Sequence, residues 1–282
     1  PPITTGSVSV VATITGIGQI ISNNLQTINT GNVFVETAPS LSISAISIPS
    51  PNGASDFIIS AGQAFMVSVN VQNFGQAQVI GLAELQLVVP AGYTITGGAT
   101  RPFIVGQPVT WNVIAPLTYP QLDVITINML TTPFDINNLT TANVVRGMVT
   151  AGITLQRPAS ITILSMTMST TNVNAGEVEV PPVSVNVLVQ NIGSADAFIS
   201  VNATDLSFLV SSNFDASYLA FITLPSSNIF IAGNGGTANV VYYLNRIGLA
   251  VGAATMDVTI NALDANSGVV TTNSALVVYD VT

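Results

Sequence analysis

Apolar and polar residues alternate along most of this chain with a period of two. In FMVSVNVQN (65–73), Phe65, Val67, Val69 and Val71 share one face, with Ser68, Asn70 and Gln72 on the other. VSVNVLVQN (183–191) repeats the arrangement. Successive side chains of a strand point to opposite faces, so both segments read as strands with one face buried. Runs at 41–48, 83–89, 108–114, 121–130, 143–156, 160–168, 196–204, 236–244, 253–263 and 274–281 predict further strands. Turn formers separate them, as at Pro51–Asn52–Gly53, Pro90–Ala91–Gly92, Gly97–Gly98 and Gly233–Asn234–Gly235–Gly236. No segment keeps a helical apolar period for three turns; NFDASYLAF (213–221) is the best short-helix candidate. About seven short strands per ~120 residues is the pattern of a β-sandwich.

The chain also repeats itself. VQNFGQA (71–77) returns as VQNIGSA (189–195), 118 residues later, and ISAISI (43–48) aligns with ITILSM (161–166) at the same spacing. IVGQPVTWNV (104–113) lies over IAGNGGTANV (231–240) at 127, and DVITINML (123–130) over DVTINAL (257–263) at 133 to 134. Four matches in one order, with a spacing that grows by steps, indicate a tandem duplication of whole domains with loop insertions in the second copy. Residues 11–37 resemble the chain's own ending at spacings of 244 to 246, as if residues 1–40 were the last two strands of a third copy. The predicted division is 1–40, an N-terminal strand or hairpin segment, then sandwiches at 41–157 and 158–282. Gly75 and Gly193, at the corners of the repeated heptapeptide, are expected to supply a positive φ for the turn.

The strand ending V-x-V-x-V-x-N-x-G-x-A, followed later by G-x-x-x-T-x-x-V, resembles CARDB-type immunoglobulin-like domains. Here the residues are VSVNVQNFGQA with GQPVTWNV, and LVQNIGSADA with GNGGTANV. The resemblance spans roughly 41–157 and 159–282. It implies two immunoglobulin-like sandwiches of an extracellular or cell-surface protein, where such modules serve as spacers, adhesion parts or appendage subunits.

Composition changes the picture mainly through what is missing. The 282 residues contain no His, no Cys and no Lys, and four Arg against thirteen carboxylates give a net charge of −9. Without a basic patch, nucleic-acid binding is excluded. Serine and cysteine triads, Ser–Lys pairs and Schiff-base chemistry have no base or nucleophile, so no enzyme is expected. Glu177 and Glu179 are the closest carboxylate pair and read as a solvated loop entering a strand. Of the oxygen-donor clusters that calcium needs, only DANSG (264–268), with Asp264 and Asn266, offers a weak candidate, and it reads first as a hairpin turn. Asp196, Asp205 and Asp215 are a thinner one. No cofactor is implied. Trp111 alternates with Val109 and Val113 and belongs to the core, and Tyr242–Tyr243 puts one ring in and one out. Sequons at Asn138 and Asn202 are possible N-glycan acceptors. Mean hydropathy is +0.61, yet polar residues such as Glu84, or Asn245 and Arg246, interrupt the apolar runs before they reach membrane-spanning length. The opening PPITTGS has no signal-peptide pattern.

Natural sheets guard their edges with charge, above all Lys. A Lys-free chain of Ser-, Thr- and Asn-faced strands is expected to have its edges covered by neighbouring copies or glycans. Val8, Val10, Ala12 and Ile14 form one face of a strand without a sandwich of its own, and are the expected donor to an edge of another copy. The leading expectation is a secreted structural subunit that forms a filament, pilus-like thread or surface layer by head-to-tail strand donation. The alternative is an adhesion, binding or spacer module of a longer surface protein, recognising a carbohydrate or protein partner.

Overall fold

The computed structural model describes residues 5–6, 33–170, 172–173, 178–199, 206–209, 222–223, 228–246 and 252–281. The fold is all-β: the described residues contain strands, a single 3-10 turn at Asn52–Ala54, and no α-helix.

In the first half of the chain, a five-stranded sheet runs in the order Thr100–Pro102, Glu84–Val88, Gln121–Thr131, Met148–Gln156, Ile58–Ser60. The other sheet runs Asn143–Arg146, Ser40–Ile43, Ala64–Asn73, Pro108–Ile114, Thr94–Thr96, with Ser47–Ser50 also on Ala64–Asn73. This is the strand order of an immunoglobulin-like sandwich. The inner rows meet in one cluster, where Val67, Val69 and Val71 face Leu85, Ile125 and Ile153. Trp111 is 1% exposed within it, and its Nε1 donates to the Ala99 carbonyl at 2.8 Å. Each such apolar side chain contributes roughly 1.5–3 kcal/mol by leaving water.

The second half repeats this order. One sheet runs Ile161–Met168, Val178–Asn191, Thr237–Arg246, Ile222–Thr223. The other runs Asn172–Val173, Val270–Val281, Gly252–Asp264, Ala197–Ile199, Ile229–Ile231, with Leu206–Leu209 also on Gly252–Asp264. Its cluster is separate and holds Val185, Val187, Tyr242, Met256 and Val258. Tyr242 is buried and Tyr243 is 41% exposed, as the alternation predicts.

Three details depart from the sequence reading. The run 41–48 divides into Ser40–Ile43 and Ser47–Ser50, both on Ala64–Asn73. The run 143–156 is not one strand either. It breaks at Gly147, so that Asn143–Arg146 runs parallel to Ser40–Ile43 in one sheet while Met148–Gln156 pairs with Gln121–Thr131 in the other. The third is a register. Phe74 N donates to Ser40 O and Ile192 N to Ser160 O, both at 2.8 Å, so the first strands correspond at a spacing of 120 rather than 118. A slip of two residues leaves every inward side chain inward, so alternation alone does not separate the two alignments.

Tyr93 closes the lower edge of the first core against Phe65 and donates its hydroxyl to Asp123 Oδ2 at 2.8 Å. Burial, then that hydrogen bond, then the Asp123 charge push its ionisation well above the ordinary tyrosine value. A folded value raised above the unfolded one contributes stability that is complete below about pH 10 and is lost as pH rises beyond it. We therefore expect alkaline unfolding to steepen above about pH 10, and Tyr93→Phe to flatten that limb in a pH series of urea midpoints.

Candidate functional site

The repeated heptapeptide forms two matching corners. Asn73 Oδ1 accepts from Ser40 N and Gly75 N, both at 2.9 Å, and its Nδ2 donates to Ala77 O at 2.8 Å. Asn191 does the same with Ser160 N (3.1 Å), Gly193 N (3.0 Å) and Ala195 O (2.8 Å). One amide thus satisfies three backbone groups where the strand turns, which explains the Asn of the motif. The Gly has a different reason from the expected one. Neither Gly75 nor Gly193 has a positive φ. A Cβ would instead lie 2.0 Å from the Ala38 carbonyl oxygen at Gly75, and 2.1 Å from that of Pro158 at Gly193. Close approach of two backbones excludes a side chain.

The DANSG turn caps the hairpin between Gly252–Asp264 and Val270–Val281, and it sits against the first sandwich. Asp264 is 3% exposed. Its Oδ1 accepts from Ser60 Oγ (2.9 Å), Asn266 N (3.0 Å) and Ser267 N (2.8 Å). Its Oδ2 accepts from Ser60 Oγ (2.9 Å) and from Ala159 N (2.7 Å) in the connecting segment. Asn266 completes the junction: its carbonyl accepts from Gln63 Nε2 at 2.9 Å, and its Nδ2 donates to Gln156 Oε1 at 3.3 Å. Gly53 is part of the same contact, since a Cβ there would lie 2.0 Å from Ala265 O. Both carboxylate oxygens of Asp264 and the backbone carbonyl of Asn266, the residues singled out as a calcium candidate, are therefore engaged by protein donors. Among the described residues no group of three His, Cys, Asp or Glu side chains gathers to hold a metal. Their partners Ser60, Gln63 and Ala159, up to 206 residues away, carry no local signal of this role. The paired motifs DINNL (135–139) and DANSG (264–268) are the one clue the sequence holds.

The sheet edges differ between the halves. In the first, Ile43, Ile46 and Ile48 are 1%, 7% and 2% exposed, and Asn143–Arg146 runs parallel to Ser40–Ser42 at the same edge. In the second, the corresponding Ile163, Met166 and Met168 are only half-buried against the core, as is Val277 on the facing strand. Asn273 Oδ1 accepts from Ile163 N at 3.1 Å and ties the two strands at one end of this seam. Val270–Val281 pairs along one side with Gly252–Asp264 and on the other, among the described residues, only through Asp280–Val281 with Asn172–Val173. Its outward Leu276 and Val278 are 59% and 61% exposed.

The remaining candidates are placed as follows. Asn138 is exposed, its Oδ1 accepting from Thr140 N (2.9 Å) and Thr140 Oγ1 (2.7 Å). Asp196 Oδ1 accepts from Gly233 N at 2.8 Å. Val8, Val10, Ala12, Ile14, Asn202, Glu177, Asp205, Asp215, the Glu179 side chain and the helix candidate 213–221 lie outside the described residues. A cavity of about 530 Å³ opens at the outer end of the first sandwich, lined by Gln78, Ile80, Phe103, Ile104 and Pro133 among others. No helix among the described residues is long and apolar enough to cross a membrane.

No family model matches the chain, and no curated protein sequence matches it. Solved structures do. The D0–D1 domain of intimin is 10% identical, covering 84% of this chain and 98% of that one at a TM-score of 0.26. The Yersinia pseudotuberculosis adhesin InvE is 13% identical, covering 86% and 58% at 0.27. Domains 4–9 of the surface layer protein SbsC are 13% identical, covering 90% and 33% at 0.24. These TM-scores are low, and no functional property passes from those proteins to this chain.

Proposed function

We propose that this chain is a structural subunit of an extracellular filament, pilus-like thread or surface layer, built from an N-terminal donor segment (1–40) and immunoglobulin-like sandwiches at 41–157 and 158–282. The observation that carries the reading is the half-open seam of the second sandwich. Half-buried Ile163, Met166, Met168 and Val277 line it, and the edge strand beside it, paired on its inner side, has no partner strand on its outer side over most of its length among the described residues. A strand with Val8, Val10, Ala12 and Ile14 on one face has the period to fill such a seam in another copy, adding main-chain hydrogen bonds and closing the core. Neighbouring copies then cover the edges that Lys guards elsewhere. N-glycans at Asn138 and Asn202 would shield further surface. The test is electron microscopy and sedimentation of the full chain. The wild type assembles; Val10→Asp with Ile14→Asp lowers the assembled fraction by about tenfold or more, since each carboxylate would enter an apolar groove. Unchanged assembly of the double variant refutes strand donation.

The cavity beside Ile80 and Ile104 favours a second reading, an adhesion or spacer module of a longer surface protein that takes a carbohydrate or protein partner there. Isolated particles that bind immobilised glycans, and lose that binding with Ile104→Asp, would support it.

A further inference from the structure

The junction between the two sandwiches has a second, half-built copy at the outer end of the first sandwich. The loops Asp135–Leu139 and Asp264–Gly268 share most of their backbone bonds, the Ser267 N donation to Asp264 Oδ1 being the exception. Asn137 N donates to Asp135 Oδ1 at 2.8 Å, as Asn266 N does to Asp264 Oδ1 at 3.0 Å. Leu139 N donates to Asp135 O (2.9 Å) and Gly268 N to Asp264 O (2.8 Å). Ile136 N reaches Gln78 O (3.0 Å) and Ala265 N reaches Asp196 O (2.9 Å). Leu139 holds φ 56 where Gly268 holds 70. The strand end that meets each loop also repeats: Asn137 Nδ2 donates to Glu36 Oε2 at 3.0 Å, as Asn266 Nδ2 donates to Gln156 Oε1 at 3.3 Å. Glu36 precedes Ser40 by the same four residues as Gln156 precedes Ser160.

What differs is the other half. The inner loop is covered by Ser60, Gln63 and Gly53 from the far end of the first sandwich, and Asn266 is 8% exposed. At the outer loop Asn137 is exposed, and Phe134, Ile136 and Leu139 are 45%, 43% and 66% exposed. Asp135 has the buried position of Asp264, yet among the described residues only Asn137 N donates to its carboxylate. The position of Ala159, whose N–H fills Asp264 Oδ2, is held here by Pro39, which has no N–H to donate.

We propose that the Asp135–Leu139 loop, with Glu36, is an end-to-end docking surface for a second copy of this chain, seated as the first sandwich is seated on the second. The incoming copy supplies hydroxyl or amide donors to the Asp135 carboxylate and a donor to the Asn137 carbonyl, and covers Ile136 and Leu139. The occupant is named by the far ends of the two sandwiches. The inner junction takes Ser60 and Gln156 from the parallel edge pair Ile58–Ser60 with Thr154–Gln156. The second sandwich ends in the same parallel pair, Asn172–Val173 with Asp280–Val281. The two sandwiches together therefore present one face of each kind, and such a heterologous contact repeats without closing. The inference rests on the filament reading and adds to it the surface on which successive copies stack.

The experiment compares the full-length wild type with Ile136→Arg plus Leu139→Arg and with the Val10→Asp plus Ile14→Asp variant, by filament length in electron micrographs and by melting temperature. Both arginines replace exposed side chains, so the melting temperature is expected to stay at the wild-type value. If the pair melts early, Leu139→Arg alone takes its place. Docking predicts a contact weakened about tenfold by the arginine pair, about 1.4 kcal/mol, which shortens filaments about threefold where mean length follows the square root of the contact constant. Wild-type filament lengths in the arginine variant, with assembly lost in the aspartate variant, overturn the docking surface and leave strand donation standing. The reverse pattern supports docking and overturns strand donation. A wild type that stays monomeric overturns both.

Discussion

Gly193→Val is expected to destabilise the protein by about 4 kcal/mol, at the upper end of what single substitutions do. The new Cβ would stand 2.1 Å from Pro158 O, 2.7 Å from Ala159 Cα and 2.8 Å from Ser160 N. All three are backbone, so no side-chain rotation relieves the clash. Separating the segments breaks Ile192 N to Ser160 O (2.8 Å), Ser194 N to Arg157 O (3.1 Å) and Ala195 N to Arg157 O (2.9 Å). Buried Ala159 and Ala195 would be pulled from the core with them. Because the first carbon does the damage, Gly193→Ala should already produce most of the loss. Urea unfolding of both variants checks this, and a Gly193→Ala protein within about 1 kcal/mol of wild type would show that the corner yields. Gly75, with 2.0 Å to Ala38 O, should behave alike in the first sandwich.

Asp264→Ala is the second large effect, expected at about 3–5 kcal/mol, since each buried donor left unsatisfied costs about 1–3 kcal/mol. It would strand the Ser60 hydroxyl and the amides of Ala159, Asn266 and Ser267 in a site where Ser60, Gln63, Asp264 and Asn266 are at most 8% exposed. Asp264→Asn should be nearly as harmful, since an NH2 at the Oδ2 position would face the Ala159 N–H, a donor against a donor. Ser60→Ala removes one donor and leaves the carboxylate three amides, so about 1–1.5 kcal/mol is expected. The network joins the two hydrophobic clusters, and calorimetry of Asp264→Ala is expected to resolve two transitions in place of a coupled one. A single unshifted transition would mean that the junction carries no coupling.

Much of the fold is legible in the order of residues. The alternation at 65–73 and 183–191 places Val67, Val69, Val185 and Val187 in the core, and Trp111 follows from its neighbours Val109 and Val113. The candidate junction is half legible. DANSG stands out because Asp, Asn and Gly at those spacings build a tight turn, but a turn that binds an ion and a turn that locks two sandwiches use the same residues. Its partners Ser60 and Gln63 sit in an unremarkable SAGQ. The reason for Gly75 and Gly193 is also hidden, since a glycine needed for φ and a glycine needed for space look the same in one dimension.

Residue order alone specifies the strands, the inward rows and the duplication, because period-two burial and turn chemistry act between residues close along the chain. Packing in three dimensions sets the register of the first strands, the sheet switch at Gly147, the backbone approach at the two corners, and the partners of Asp264. Each of these depends on a contact between segments far apart in the chain, where only the packed distance between two backbones says whether a hydrogen bond or a clash results.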